Sequence, residues 1–248
     1  MTLKGRTALI TGGGSGLGAD LARRFAEQGA TVWISGRRAE ALEEVAAESA
    51  AIRVVPCDVT DPGSVAAMFD ATGRCDIVIA NAGAAESAPF DRTSDEIWDK
   101  MIAVNLTGAF YTLREGHRRL KGAQWGRLIA VASTAGLKGY PYVSAYTAAK
   151  HGVVGLVRAV AQEAARTGIT VNALCPGFLE TEMTERSIAN IMDKTGMSAE
   201  DARASLARNS PQKRLIAPSE VTAAALWLCG PGSEGVTGQS ISISGGET

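Results

Sequence analysis

The sequence predicts a doubly wound α/β protein: about seven parallel strands in one sheet, with helices on both faces. Three features carry the prediction. Short apolar runs alternate with amphipathic helical stretches along all 248 residues. The runs are nearly continuous in their apolar character, as strands buried on both faces are. The first run also leads straight into a glycine-rich turn, at the carboxyl edge where open parallel sheets hold their ligands. A closed barrel would alternate too, but it wants about eight units and carries no glycine fingerprint at the first turn. At about 150 residues per domain the length allows one or two domains. No stretch rich in Pro, Gly or Ser divides the chain, so residues 1–248 are expected to form one.

The elements follow in order. Thr7-Ala8-Leu9-Ile10 is the first strand. Behind the glycines, Leu17, Leu21 and Phe25 share one face of a helix, which Gly29 ends. Thr31–Ile34 starts the second strand, Arg53–Val55 the third, Asp76–Ile79 the fourth, Arg127–Val131 the fifth, Ile169–Leu174 the sixth and Ser240–Ile243 the seventh. Helical patterns occupy about 39–49, 61–72, 95–121, 144–167 and 218–229.

Composition narrows the function. Lys plus Arg total 25 against 26 Asp plus Glu, a net charge of −1, and basic clusters such as Arg37-Arg38 and Arg118-Arg119 are short. Nucleic-acid binders normally carry a basic surplus or stripe, so none is expected here. No apolar run reaches the ~18 residues of a membrane span, and the chain enters a strand too soon for a signal peptide. Cys57, Cys75, Cys175 and Cys229 lie far apart with no CxxC pair, and there are 2 histidines, so no metal site is expected. Buried free thiols and a cytoplasmic location are the expectation.

The turn after the first strand reads Thr11-Gly12-Gly13-Gly14-Ser15-Gly16-Leu17-Gly18. A backbone that approaches a pyrophosphate closely tolerates few side chains. The N–H groups and dipole of a helix entered near Gly16 would stabilise the anion, and Gly18 would let that helix pack against the sheet. Leu17 stands where the last glycine of GxGxxG belongs, so the motif is TGxxxGxG.

With Asn81-Ala82-Gly83 after the fourth strand, Asn105, Ser133 after the fifth, Tyr146-Thr147-Ala148-Ala149-Lys150, and Cys175-Pro176-Gly177 with Thr181 after the sixth, the chain resembles the short-chain dehydrogenase/reductases over essentially its whole length. Residues 164–178 look most like 3-ketoacyl-thioester reductases and polyketide ketoreductases. The resemblance implies a Rossmann-type fold and an NAD(P)(H)-dependent oxidoreductase that interconverts a ketone and a secondary alcohol. An NAD-dependent 3-hydroxyacyl-CoA or other secondary-alcohol dehydrogenase is the alternative. A non-catalytic nucleotide sensor is the alternative of another class, although such a protein would be expected to lose the tyrosine or lysine. Two positions depart from the family: Ala80 replaces the first Asn of NNAG, and the connection from Asp61 to Cys75 is short.

Tyr146 and Lys150, four apart, share a helix face. Reduction of a carbonyl needs a proton donor, and a tyrosine of pKa ~10 is sluggish at neutral pH. The resemblance implies that Tyr146 is the general acid/base and that Lys150 lowers its pKa and binds the nicotinamide ribose. Ser133 would hydrogen-bond the substrate oxygen, and Asn105 would hold a water linking Lys150 to solvent. His151 points about 100° away from Lys150 and reads as a packed or surface residue.

The cofactor-binding set implied is Thr11, Gly12, Ser15, Gly16, Leu17, Gly18, Arg37, Arg38, Asp58, Val59, Asn81, Ala82, Gly83, Tyr146, Lys150, Pro176, Gly177 and Thr181. Gly36 falls where NAD-specific relatives carry Asp, and Arg37 and Arg38 follow it. No carboxylate repels a 2′-phosphate and a guanidinium is at hand to pair with it, which favours NADP over NAD. Asp58 would contact the adenine.

A substrate lid is expected at about 179–214, with Met183, Ile188, Ile191 and Met192 on one apolar face, a break at Gly196, and a capping box at Ser198-Ala199-Glu200-Asp201. Arg203, Arg208, Lys213 and Arg214 could meet an acyl carrier protein or CoA phosphate; a solvated face is the alternative. Small residues on 144–167 (Ala148, Ala149, Gly152, Gly155, Ala159) suggest self-pairing into a homotetramer or homodimer.

Overall fold

The computed structural model describes residues 2–248. Seven strands, β1 (Thr7–Thr11), β2 (Thr31–Gly36), β3 (Ile52–Pro56), β4 (Ile77–Ala80), β5 (Gly126–Val131), β6 (Ile169–Pro176) and β7 (Ser240–Ile243), form one parallel sheet in the order β3-β2-β1-β4-β5-β6-β7. The chain builds outward from β1 to β3 and then returns to the other side of β1. Strand order therefore reverses between β1 and β4, and the carboxyl ends of these strands open a crevice there. Register sets the sheet's alignment here: Leu9 lies beside Trp33 on one side and Val78 on the other.

Both faces are covered, as the continuous apolar strands require. Leu9, Val78, Leu128 and Val171 point to a core shared with α3 (Pro62–Thr72), α5 (Gly108–Arg119) and α6 (Ser144–Ala164). Their neighbours Ile10, Ile34, Ile79 and Ile129 point the other way, to α1 (Gly16–Glu27), α2 (Ala39–Ala46) and α9 (Pro218–Cys229). Strand periodicity alone sorts these residues between the layers. Asp61 caps α3 by accepting from the Gly63 N–H at 2.8 Å, with Pro62 in the first turn.

The helix expected over 95–121 is divided. α4 (Asp95–Ile102) and α5 are joined by a π-helical turn over Ala103–Thr107. Asn105 Nδ2 donates to the Met101 carbonyl at 3.0 Å, competing with the backbone ladder at this turn. Gly108 then brings α5 against Val59, where a Cβ would lie 2.8 Å from Val59 Cγ2. Apolar spacing does not register one widened turn.

The four cysteines are unpaired and buried. Burial raises every thiol: Cys57 upward, Cys75 and Cys175 to about 11, and Cys229 to about 12. The basic cluster on α5 is neutralised locally, Arg118 by Glu115 at 2.7 Å and Arg119 by Asp70. No helix among the described residues is long and apolar enough to cross a membrane, and no cluster there suits a metal ion.

Candidate active site and nucleotide cleft

The turn after β1 packs too tightly for side chains at its glycines. A Cβ on Gly12 would stand 2.9 Å from the Ala82 Cα, and one on Gly18 only 2.1 Å from the Gly12 carbonyl oxygen. Gly12 and Gly16 also take positive φ, +69° and +51°. Ser15 is the N-cap of α1 but makes no capping bond, and its Oγ accepts instead from Arg38 Nη2 at 3.4 Å. The first-turn N–H groups of α1 thus face the crevice without a side-chain acceptor from their own cap, which suits a phosphate. Leu17 is buried beneath the turn, and Thr181, the N-cap of α7 (Glu182–Thr195), brings its methyl to within 3.1 Å of where a Gly16 Cβ would stand.

Two residues expected to bind cofactor, Thr11 and Asn81, also hold the crevice together. Thr11 Oγ1 accepts from the backbone N–H groups of Asn81 and Ala82, each at 3.1 Å. Asn81 Nδ2 donates to the Thr11 carbonyl at 2.8 Å and to the Gly12 carbonyl at 3.3 Å. These bonds fasten β1 to β4 at the reversal point. Gly83 completes that side: a Cβ there would lie 2.9 Å from Asn105 Oδ1 and 3.7 Å from Lys150 Nζ.

The chemically competent residues converge across β4, β5 and β6. Ser133, just past β5, accepts the Ala135 N–H at 3.1 Å, leaving its own proton to donate, and it lies close enough to the Tyr146 phenol to affect its acidity. Lys150 is buried one turn further along α6, donating to the Val131 carbonyl at 2.8 Å, with Nζ 5.6 Å from the Tyr146 ring centre. Burial raises the Tyr146 phenol, and Ser133 opposes the rise. The lysine is itself desolvated, its pKa held down to about 8, and its ammonium donates to a carbonyl. Asn105 is fully buried and its amide is committed to backbone: Oδ1 accepts from Ala84 N–H at 3.2 Å, and Nδ2 donates to the carbonyls of Ala84 and Met101. A water-holding role would fall to its main chain, not its side chain. His151 is exposed, with Nδ1 3.0 Å from the Thr147 carbonyl.

At the end of β2, Gly36 has space: a Cβ would meet only Leu42, at 3.7 Å. A side chain would fit, yet none is present. Arg37 and Arg38 are both exposed. Across from them, Asp58 Oδ1 accepts from the Thr60 N–H and hydroxyl at 2.9 and 2.8 Å, which with the Arg37 charge holds its carboxyl below the usual range. Val59 is buried beside it. Pro176 ends β6, and the Gly177 N–H donates to the Ile243 carbonyl at 3.0 Å.

Over 179–214 lie α7, a break at Gly196 with φ +71°, and α8 (Ala199–Ala207), capped by Ser198 accepting from Asp201 N–H at 3.1 Å. The apolar face expected on α7 is split. Ile188 is buried, whereas Met183 and Met192 are exposed, because Thr184 rather than Met183 turns inward with Ile188. The basic residues proposed to meet a carrier are largely engaged within the chain. Arg203 pairs with Glu185, Arg214 grips Glu220 at 2.6 and 2.8 Å, and Lys213 donates to the Arg208 carbonyl. The small residues of α6 divide as well: Ala149 is in the core and Gly152 lies against Leu106, while Ala148, Gly155 and Ala159 face outward.

Sequence reasoning passed over Tyr140 and Glu247, 107 residues apart, whose side chains meet beside Thr134. Nothing in local spacing links them.

The sequence pattern described as short chain dehydrogenase matches residues 6–191. D-beta-hydroxybutyrate dehydrogenase from Rhizobium meliloti is 37% identical over 98% of this chain and 98% of its own. Cis-4-hydroxycyclohexanecarboxylate dehydrogenase from Sinomonas cyclohexanicum is 37% identical over 98% and 96%. Among solved structures, a variant of actinorhodin polyketide ketoreductase with NADPH superposes with a TM-score of 0.91 at 34% identity, covering 98% of this chain and 97% of that one. Relatives of such different named substrates align with this chain over nearly its whole length, and what unites them with it is the family: it is a short-chain dehydrogenase, an oxidoreductase.

Proposed function

We propose that the protein is an NADP(H)-dependent ketoreductase acting on a 3-ketoacyl thioester or a related ketone. The observation that carries this is the convergence of Ser133, Tyr146 and Lys150 beside a glycine-rich turn at the N-terminus of α1. When bound, the reduced nicotinamide supplies hydride to the carbonyl carbon. The chain does the rest. Ser133 donates a hydrogen bond to the carbonyl oxygen, strengthening as negative charge develops there. Tyr146 passes its phenolic proton to the nascent alkoxide. Lys150, fixed by Val131, offers its remaining protons to the ribose and supports the phenolate that results. Gly12, Ser15, Gly16 and Gly18 would hold the pyrophosphate, Asp58 and Val59 the adenine side, and Gly83, Pro176, Gly177 and Thr181 the nicotinamide side, with α7 and α8 as the substrate lid.

Turnover of acetoacetyl-CoA and a panel of ketones, followed at the nicotinamide absorbance with NADPH and NADH, tests the reading; no turnover with either cofactor refutes it. A second reading, an NAD-dependent secondary-alcohol dehydrogenase, draws on the 37% identical relative named as a hydroxybutyrate dehydrogenase. It requires the hydroxyacid with NAD to outrun the ketoester with NADPH. A nucleotide sensor is disfavoured by retention of both Tyr146 and Lys150.

The 2′-phosphate is assigned to Arg37 and Arg38. Because both are exposed, each contributes on the order of 1 kcal/mol rather than the value of a buried pair. Arg37→Ala should therefore weaken NADPH about fivefold and leave NADH nearly unchanged in fluorescence titrations. Equal losses would remove the arginine from phosphate recognition.

Self-association into a tetramer or dimer is part of the same proposal. Ala148, Gly155 and Ala159 give α6 a smooth outer face beside exposed Phe110 on α5, and Trp227 on α9 is exposed near the edge strand β7. Small faces allow close two-fold packing. Light scattering at micromolar concentration should give a multiple of the 25.7 kDa chain, and a monomer would refute it. An acyl carrier partner would have to use Arg208 and its surroundings, since Arg203 and Arg214 are paired. A cytoplasmic location suits four unpaired thiols.

A further inference from the structure

Beyond β7 the chain turns back over the ends of β5 and β6, and the Glu247 side chain is drawn in until it is 3% exposed. A buried carboxylate persists only where it is bonded. Its Oε1 accepts from the Tyr140 hydroxyl at 2.6 Å and from the Lys138 ammonium at 2.9 Å. The Tyr140 oxygen also lies 2.7 Å from Thr134 Oγ1. A phenol has one proton and a carboxylate only accepts. The Tyr140 proton therefore goes to Glu247, and the Thr134 hydroxyl must donate to Tyr140. One charge sets the direction of the whole chain of hydroxyls.

That chain ends beside the reactive serine. Thr134 is buried, follows Ser133 directly, and its carbonyl accepts from Leu137 and Lys138 N–H at 2.9 and 3.0 Å in the turn that Ser133 caps. On its other side Glu247 lies against Gly177, where a Cβ would be 3.6 Å from Oε2. The Tyr140 ring stands edge-on to Phe178 with centres 6.5 Å apart. A single carboxylate thus joins the loop after β5 to the segment after β6, the two elements that flank Tyr146.

We propose that Glu247 is a positioning residue for the reduction: through Tyr140 and Thr134 it holds the Ser133 hydroxyl in its donating orientation, and through Tyr140 and Phe178 it fixes one wall of the substrate pocket. The inference rests on the ketoreductase reading. The alternative is a clamp that stabilises the fold and leaves the chemistry alone.

Glu247→Gln, Tyr140→Phe, their double variant, Thr134→Ser and Thr134→Val separate the two. Glu247→Gln and Tyr140→Phe should each lower kcat for the ketone about tenfold with KM for NADPH unchanged. The double variant should lose no more than either single one. Thr134→Ser should keep the parent kcat, and Thr134→Val should match the tenfold loss. A kcat unchanged in both single variants, with only a lower unfolding midpoint, overturns the proposal, as do losses that multiply in the double variant. Amide exchange gives a readout independent of turnover: residues 133–140 should exchange faster in Glu247→Gln while 7–11 do not. Identical exchange in parent and variant overturns the proposal even if neither turns over a ketone, an outcome that would separately refute the ketoreductase reading.

Discussion

Tyr146→Phe is expected to lower turnover about 10²- to 10⁴-fold while leaving nucleotide affinity nearly intact, the range that a positioned general acid contributes. The substitution removes one hydroxyl and keeps the ring. In the proposed mechanism the Ser133 hydroxyl would still donate to the carbonyl oxygen, and Lys150 would keep its bond to the Val131 carbonyl, which does not involve the phenol. What disappears is the proton. Steady-state kcat with NADPH, beside a fluorescence titration of NADPH, separates the terms. Equal kcat in parent and variant would remove Tyr146 from the chemistry. The direction of the pKa shift sharpens the expectation. Burial keeps the phenol protonated and so able to donate in reduction, while making it a weaker acid; the reverse oxidation needs the phenolate and should accelerate as pH rises.

Gly18→Ala is the second large effect, and it acts on binding. An added Cβ falls 2.1 Å from the Gly12 carbonyl oxygen and 2.8 Å from Asn81 Nδ2. The first is backbone and the second is held by two carbonyls, so neither can swing aside cheaply. The turn must open, taking its first-turn N–H groups out of line. Affinity for NADPH and NADH alike should fall at least tenfold, equivalent to about 1.4 kcal/mol. Gly235→Ala, where a Cβ meets nothing within 4 Å, is the control. Unchanged titrations for Gly18→Ala would mean that the nucleotide does not lie in this turn.

Much of this was legible in the chain itself, and for physical reasons. Parallel strands buried on both faces must read as apolar runs, so all seven were found, with ends short by one or two residues where polar Thr11 and Ser35 and then Gly36 continue the ladder. The glycine turn and the Tyr146–Lys150 pair are local patterns and survive translation into structure. Roles were harder to read. Beyond the ligand role expected of them, Thr11 and Asn81 join β1 to β4, a contact across 70 positions that no spacing announces. Met183 and Met192 looked like an inward face because apolar spacing does not say which residues a helix turns toward its neighbours. The Tyr140–Glu247 contact was invisible for the same reason as the Thr11–Asn81 one, and longer still.

The buried thiols have a consequence for how the protein ages and opens. Each cysteine occupies a different part of the architecture: Cys57 follows β3 at one sheet edge, Cys75 precedes β4, Cys175 lies within β6 among the reactive groups, and Cys229 closes α9. With every thiol held above its usual range, the reactive thiolate is scarce in the closed protein, and electrophiles reach it only when that region breathes. The four sulfurs therefore act as separate clocks for local opening, one for each neighbourhood of the sheet. The clock in β6 runs beside the chemistry, so alkylation there marks the molecules whose catalytic face has come apart.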